Sequence, residues 1–348
     1  MSEKVERELR GLFAEAEGRG ACLRPAEERV RAACARRTGE DGELVSPLRG
    51  LYARRAWWDE LGYSGQTLAI MRSLQAAHPD WVFCGPSAAL ALGCDVSFAR
   101  QRPLHVMLAS GSVSAPTALV THHRLALGPD DADERPLEVR GLRVTPPLRT
   151  TLDSLRWMSF REGMVVADWA MGAQGLTWQS FVEYAYHRIG SCRGVRRALS
   201  TFVHATGLAE SGGESIARAV MIERGYMLPA QQVEVPDPLH AGRTFRVDFV
   251  WMRADGRVIV GECDGLRKLL DPGMARGRSP QQALVDQRKR EGLITVYDVS
   301  VLRFTYEEAA SEVELVRKLD LYGVPRLGSP LVPAGTMPLP DWGVLLRR

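Results

Sequence analysis

Residues 244–265 read TFRVDFVWMRADGRVIVGECDG. Two β-rich runs flank Ala254-Asp255-Gly256, and Asp-Gly between such runs is a strong hairpin signal, because a tight turn needs residues that tolerate a left-handed backbone. Asp248 falls near the end of the first run and Glu262 near the end of the second, so antiparallel pairing brings together the ends that carry them. Strand side chains alternate with period two, which sets Glu262 and Asp264 on one side and Cys263 on the other. Three carboxylates then converge. Acidic residues are depleted in strands and costly to bury unpaired, and oxygen ligands suit a hard divalent cation. Mg²⁺ or Mn²⁺ is therefore the expected cofactor, held by Asp248, Glu262 and Asp264 as metal ligands. Such a cation supplies what phosphodiester hydrolysis needs, an activated water and compensation of charge on the phosphate. Lys268, beyond Asp264, would set a cation beside the scissile phosphate or help deprotonate water.

Working outward, ESIARAVMIERGY reads as a helix and QQVEV as a strand, with VSVLRFTY a strand after the hairpin and a helix beginning near Glu307. Glu214 lies in the first turn of its helix, after Ser211-Gly-Gly. Spacing leaves two readings open: a carboxylate favoured by the helix dipole, or a catalytic acid. A helix through Gln281–Glu291 offers Arg288, Lys289 and Arg290, and the loop before it adds Arg276 and Arg278. Such a basic flank would hold a nucleic-acid backbone. It reads equally as a solvated helix face, diluted by Asp286 and Glu291.

Residues 1–50 contain two Ala/Glu/Arg-rich helical stretches and read as a helical extension. Residues 51–204 read as an α+β module with a helical linker. Within it, residues 54–77 form a helix, a glycine break and a second helix, a pattern shared by helix-turn-helix units and ordinary helix pairs. WVFCG, LHVMLA, ALVTHH and GLRVTP are short strands, and PSAALALG is a helix opening at proline. His122-His123 on a strand face opposite ways, which favours a satisfied polar role over a metal pair. From Gly323 onward the Pro- and Gly-rich chain reads as an irregular tail.

The length of 348 residues suggests two or three domains. The net charge of +3, from 45 basic and 42 acidic residues, makes no global case for nucleic acid, so that case rests on local patches. Six cysteines without a C-x-x-C pair signal neither a zinc site nor a disulfide framework. No apolar run approaches the roughly 18 residues of a spanning helix, and the N-terminus lacks a secretory h-region, so no membrane partner and a cytoplasmic location are expected. No phosphate loop of the G-x-x-x-x-G-K-[ST] type and no G-x-S-x-G elbow is present, which leaves nucleotide hydrolysis and serine chemistry without a motif.

The ordered set G-E-S (Gly213 to Ser215), Pro229 with Gln232, V-D-F (Val247 to Phe249), V-I-V-G-E-C-D-G-L-R-K (Val258 to Lys268), Arg290-Glu291 and V-L-R-F-T (Val301 to Thr305) resembles the Vsr-like nuclease domains of the PD-(D/E)XK superfamily. The segments W-V-F-C-G-P-S-A-A-L and G-L-R-V-T-P-P-L-R-T-T-L-D are similar to the N-terminal half of actinobacterial proteins that carry an AbiEi-type antitoxin domain. The resemblance implies an α+β N-terminal module, then an α/β, mixed-sheet PD-(D/E)XK-like domain over residues 205–322, then the tail of 323–348. It implies Asp248 and Glu262 as metal ligands with the Cys263 carbonyl a third, Glu214 as the helix-borne acid and Gln232 at the cavity edge. It further implies a nucleic-acid partner, DNA in the first instance, with a toxin partner or a homodimer in view. One departure stands out: Asp264 occupies the place of the E-x-K lysine, and Lys268 the later position where Vsr-like relatives often carry histidine. Two readings follow, a metal-dependent endonuclease or a non-catalytic nucleic-acid-binding, antitoxin-like regulator that keeps the nuclease fold.

Overall fold

The structure, a computed structural model, describes residues 3–108, 117, 119–124, 134–188, 192–264, 292–326 and 339–346. The protein is mixed α and β, with two mixed sheets, and divides into two units between Asp153 and Ser154.

The first unit opens with α1 (Glu3–Gly18) and α2 (Glu28–Ala35), the two helices the sequence predicts. A hairpin that the reading of residues 1–50 as a helical extension does not contain follows them, β1 (Leu44–Leu48) and β2 (Leu51–Arg54). Its reason is apolar. Leu9, Phe13 and Ala16 recur at helical spacing on α1 and close one buried cluster with Val30, Cys34, Leu44 and Tyr52. Leu23 and Tyr52 exchange backbone hydrogen bonds at 2.8 and 2.9 Å, which stitches the connection between the helices to the hairpin.

Next come α3 (Arg55–Glu60) and α4 (Gly62–Ala77), broken at Gly62, whose positive φ of 62° no β-branched residue would accept readily. The strands β3 (Val82–Phe83), β4 (Leu104–Leu108), β5 (Val120–Arg124), β6 (Leu137–Val139) and β7 (Leu142–Val144) form a mixed sheet in the order β5-β4-β3-β7-β6. The proline-opened helix is α5 (Gly85–Ala91), buried along its length, and α6 (Pro147–Trp157) follows the sheet. Arg149 is buried between Glu134 at 2.8 Å and Asp153 at 2.7 Å, so the burial of its charge is compensated. His122 and His123 point opposite ways, as strand alternation requires: His122 meets the edge of Trp81, and His123 Nε2 shares a 2.8 Å hydrogen bond with His105 Nδ1.

The second unit contains α7 (Phe160–Gly172), α8 (Trp178–Tyr186), α9 (Val195–Phe202), α10 (Gly212–Glu223), β8 (Ala230–Pro236), β9 (Thr244–Met252), β10 (Val258–Asp264), β11 (Val299–Thr305), α11 (Tyr306–Ala310), α12 (Val313–Leu321) and α13 (Trp342–Leu345). The helices of residues 160–202 thus belong with this unit rather than with the module before them. The link is polar and buried: Asp168 on α7 accepts from Ser215 Oγ at 2.7 Å and from the Thr206 backbone N–H at 2.8 Å, and pairs with Arg218 at 3.4 Å.

The sheet runs β11-β10-β9-β8, antiparallel except for the parallel pair β10–β11. The predicted hairpin is β9–β10, closed at Gly256 with φ 79°. One face packs Val233, Val235, Val250, Val258 and Val260 against Ile294 and Tyr297. The other carries Phe249, Trp251 and Phe304, with the Trp251 indole N–H satisfied by the Met227 carbonyl at 2.8 Å. Gly261 lies under that aromatic pair, where a Cβ would come within 2.7 Å of the Trp251 ring. Part of the tail read as irregular returns to the first face: Trp342 stands edge-on to Tyr297, and Asp298 N–H donates to the Leu345 carbonyl at 2.7 Å. No helix among the described residues is long and apolar enough to cross a membrane.

Candidate active site

Helix α10 begins at the sequence Ser211-Gly212-Gly213-Glu214, and its first turn carries the helix-borne acid. The Ser211 hydroxyl accepts from Glu214 N–H at 3.3 Å and donates to Glu214 Oε1 at 2.8 Å. Glu214 Oε2 accepts from Glu210 N–H at 3.0 Å and from Gln232 Nε2 at 2.8 Å. Glu214 is only 2% exposed, and these neutral donors together with the helix N-terminus compensate its charge. This is the environment of a carboxylate favoured by the helix dipole, the first of the two readings the sequence leaves open. Gln232, expected at the cavity edge, does reach this acid, and does so from β8 with φ 51°, a left-handed backbone rare for its type.

Gly213 lets the helix start lie against β10: a Cβ there would sit 2.7 Å from Cys263 Sγ. Burial raises the Cys263 pKa, and the carboxylates of Glu214, Asp248 and Asp264 raise it further, while a hydrogen bond with Ser211 opposes them. Acids from α10, β9 and β10 thus act on this one sulfur. The β9–β10 register runs from Val258↔Met252 to Gly261↔Phe249. At the next step a side chain takes over from the main chain, since Asp248 Oδ2 accepts the Cys263 N–H at 2.8 Å.

Alternation along β10 holds as predicted. Gly261 and Cys263 face the aromatic residues and α10, so Glu262 and Asp264 share the side of Val258 and Val260. There Asp264 Oδ1 meets Arg303 Nη1 at 3.1 Å, and Glu262, half-buried, is in register with Arg303 across the parallel pair. Arg303 is absent from the sequence reading. Its pairing depends on the register of a parallel strand reached by a long connection, which no local pattern encodes. The same holds for Asp168, whose only signal is an acid inside the apolar helix MVVADWAM. Lys268, Arg276, Arg278, Arg288, Lys289 and Arg290 lie outside the described residues.

Glu262 and Asp264 share one side of β10 as expected, and Asp248 stands on the neighbouring strand where its ladder with β10 ends, on the Cys263 N–H. Glu214, brought by α10 to the Cys263 side, accepts from Ser211, Glu210 and Gln232, and Asp264 pairs with Arg303. Among the described residues no three His, Cys, Asp or Glu side chains form a metal-binding group. The donor chemistry at the strand ends, the carboxylates of Asp248 and Glu262 with the Cys263 carbonyl, is oxygen only. That fits Mg²⁺, which characteristically takes one or two protein carboxylates and completes its shell with water and substrate phosphate.

No family model and no solved structure matches the chain. Two relatives do, the uncharacterized proteins MT2308 and Rv2248 of Mycobacterium tuberculosis, strains CDC 1551 and H37Rv. Each is 30% identical over 213 residues, which is 61% of this chain and 71% of the relative. The chain belongs to the family of these two mycobacterial proteins.

Proposed function

We propose that the second unit is a metal-dependent nuclease domain of the Vsr-like PD-(D/E)XK class, acting on the phosphodiester bonds of nucleic acid, DNA in the first instance. The observation that carries this reading is the run α10–β8–β9–β10–β11 in a mixed sheet of that same strand order, with a buried acid in the first helical turn and Asp248 and Glu262 where the β9–β10 ladder ends. Asp248 and Glu262 would hold Mg²⁺ or Mn²⁺ with the Cys263 carbonyl. Bound there, the ion would supply Lewis acidity toward a phosphate oxygen and lower the pKa of an attacking water. Asp248 is oriented for this by the Cys263 N–H, and Glu214 anchors the helix start against the strand. Lys268 would contribute a cation to the phosphate, and the arginines and lysine of residues 276–290 would track the backbone. Purified protein should cleave DNA in the presence of Mg²⁺ or Mn²⁺, with Asp248→Ala reducing the rate by about 100-fold or more. Folded protein that cleaves neither single- nor double-stranded DNA or RNA with either metal would sink the reading.

One observation favours a second reading, a non-catalytic nucleic-acid-binding regulator built on the same scaffold. Asp264 stands where the family's lysine would be and is neutralised by Arg303 rather than left for a cation. Calorimetry separates the two readings, because tight Mn²⁺ binding that disappears in Asp248→Ala is unexpected for a bare scaffold. In either reading the first unit, through its likeness to AbiEi-type modules, would supply target choice or control. A toxin partner or a second copy of the chain would be its binding partner, distinguishable by the mass of the complex in solution.

A further inference from the structure

Within the first unit a cleft of about 1010 Å³ opens between α1, the segment that follows it, α4 and the turn joining β6 to β7. Its inner wall is apolar, formed by Leu12, Ala16 and Leu23, while guanidinium groups enter from the α4 and hairpin sides. Arg72 is held in place by main-chain carbonyls: Nη1 donates to Gly20 at 3.0 Å and Nε to Arg140 at 2.9 Å. Neither Arg72 nor Arg140 has a carboxylate partner among the described residues. Burial lowers the Arg72 pKa, and the charge of Arg140 lowers it further. Of the carboxylates that share the lining, Glu8 and Glu27 pair with Arg29 and Glu15 with Arg19, while Glu138 stands exposed two residues before Arg140. A half-buried cation fixed beside a second cation is a costly arrangement unless an anion completes it.

We propose that this cleft binds a phosphorylated small molecule of nucleotide size, with its phosphates between Arg72 and Arg140 and its apolar part against Leu12, Ala16 and Leu23. Two guanidinium groups lining one cleft suit a multiply charged phosphate, since Arg72 keeps donors beyond the Nε and Nη1 bonds that fix it and Arg140 offers its planar fork. The volume lies at the upper end of the range for small-ligand sites, and an apolar wall with a few polar groups is their usual lining. An extended polyanion would leave the apolar wall of Leu12, Ala16 and Leu23 without a partner, and is a separate outcome of the test. The proposal stands on the first unit alone and is independent of the nuclease reading.

Titration calorimetry of the full chain in EDTA, which removes any divalent metal from the second unit, tests it with ADP, inorganic phosphate and a short oligodeoxythymidylate as probes. ADP should bind with a Kd below about 1 mM, and inorganic phosphate about 10-fold or more weakly. Arg140→Asp, at an exposed turn position whose left-handed backbone aspartate accepts, should weaken ADP by about 10-fold or more. Ala76→Trp, which fills the cleft from an exposed point on α4, should abolish binding and serves if the first variant fails to fold. The proposal is overturned if ADP does not bind at about 10 mM, or if both folded variants keep affinity within about 2-fold. It is equally overturned if the oligonucleotide binds more tightly than ADP with the same dependence on Arg140.

Discussion

The side-chain amide of Gln232 donates to Glu214 Oε2 at 2.8 Å from a backbone held at φ 51°. Strain and hydrogen bond belong together, because the left-handed turn of β8 is what brings the amide to a buried carboxylate. Gln232→Ala keeps the strain and removes the bond, which should cost about 1–3 kcal/mol in chemical denaturation. Gln232→Gly removes the bond and the strain, so it should cost less than alanine. A glycine variant less stable than the alanine variant would contradict this account.

Gly213 and Cys263 form a pair in which one residue exists to admit the other. Gly213→Ala should destabilise by about 1–3 kcal/mol through the clash of its Cβ with Sγ. Cys263→Ala in the same chain should recover most of that loss, a non-additivity that a double-mutant cycle reads directly. Additive costs would mean that the two side chains do not meet.

Asp168 joins α7 to α10 by compensating Arg218, and both side chains are 1% exposed. Asp168→Ala leaves the guanidinium buried without its carboxylate and should cost about 3–5 kcal/mol. Thermal unfolding followed by circular dichroism measures it. A loss below about 1 kcal/mol would mean that solvent reaches Arg218 once the aspartate is gone.

Burial, then the charges of His123 and Arg100, lowers the His105 pKa from the ordinary 6.5 to about 4. The folded protein therefore binds this proton less readily than the unfolded chain. The contribution to stability is complete above about pH 6.5 and is lost as the pH falls toward about 4. Denaturation midpoints measured across that window should decline, and the decline should be shallower in His105→Gln. Parallel curves for the two proteins would refute the assignment.

The hairpin at the heart of the second unit was legible because both of its signals are local: the Asp255-Gly256 turn and the period-two β-rich runs. The helix cap at Ser211, with an acid in the turn it opens, was equally local. What escaped the sequence depends on contacts distant along the chain. The pairing of Arg303 with Asp264 requires the parallel register, and the hairpin at Leu44–Arg54 contains Pro47 and only a weak Arg49-Gly50 turn signal. It forms because Leu44 and Tyr52 complete a core that α1 and α2 cannot close alone. Trp342 and Leu345 show the same limit in the tail, where a proline-rich composition hides two side chains with a receiving face elsewhere. The shared side of Glu262 and Asp264 follows from alternation along β10, whereas the approach of Glu214 to Cys263 follows from where α10 lies.

The close fit of Cys263 against the start of α10 has a consequence for the chemistry of the isolated protein. Reactivity toward oxidants and alkylating agents belongs to the thiolate, and here burial first, then three carboxylates, oppose its formation. The space beside the sulfur would scarcely admit a methyl group at Gly213, so oxygen atoms added to it would have to displace the helix. Iodoacetamide should therefore label Cys263, which is of intermediate exposure, more slowly in the folded domain than in the unfolded one. Its labelling would then report the opening of α10 from β10 without any engineered probe.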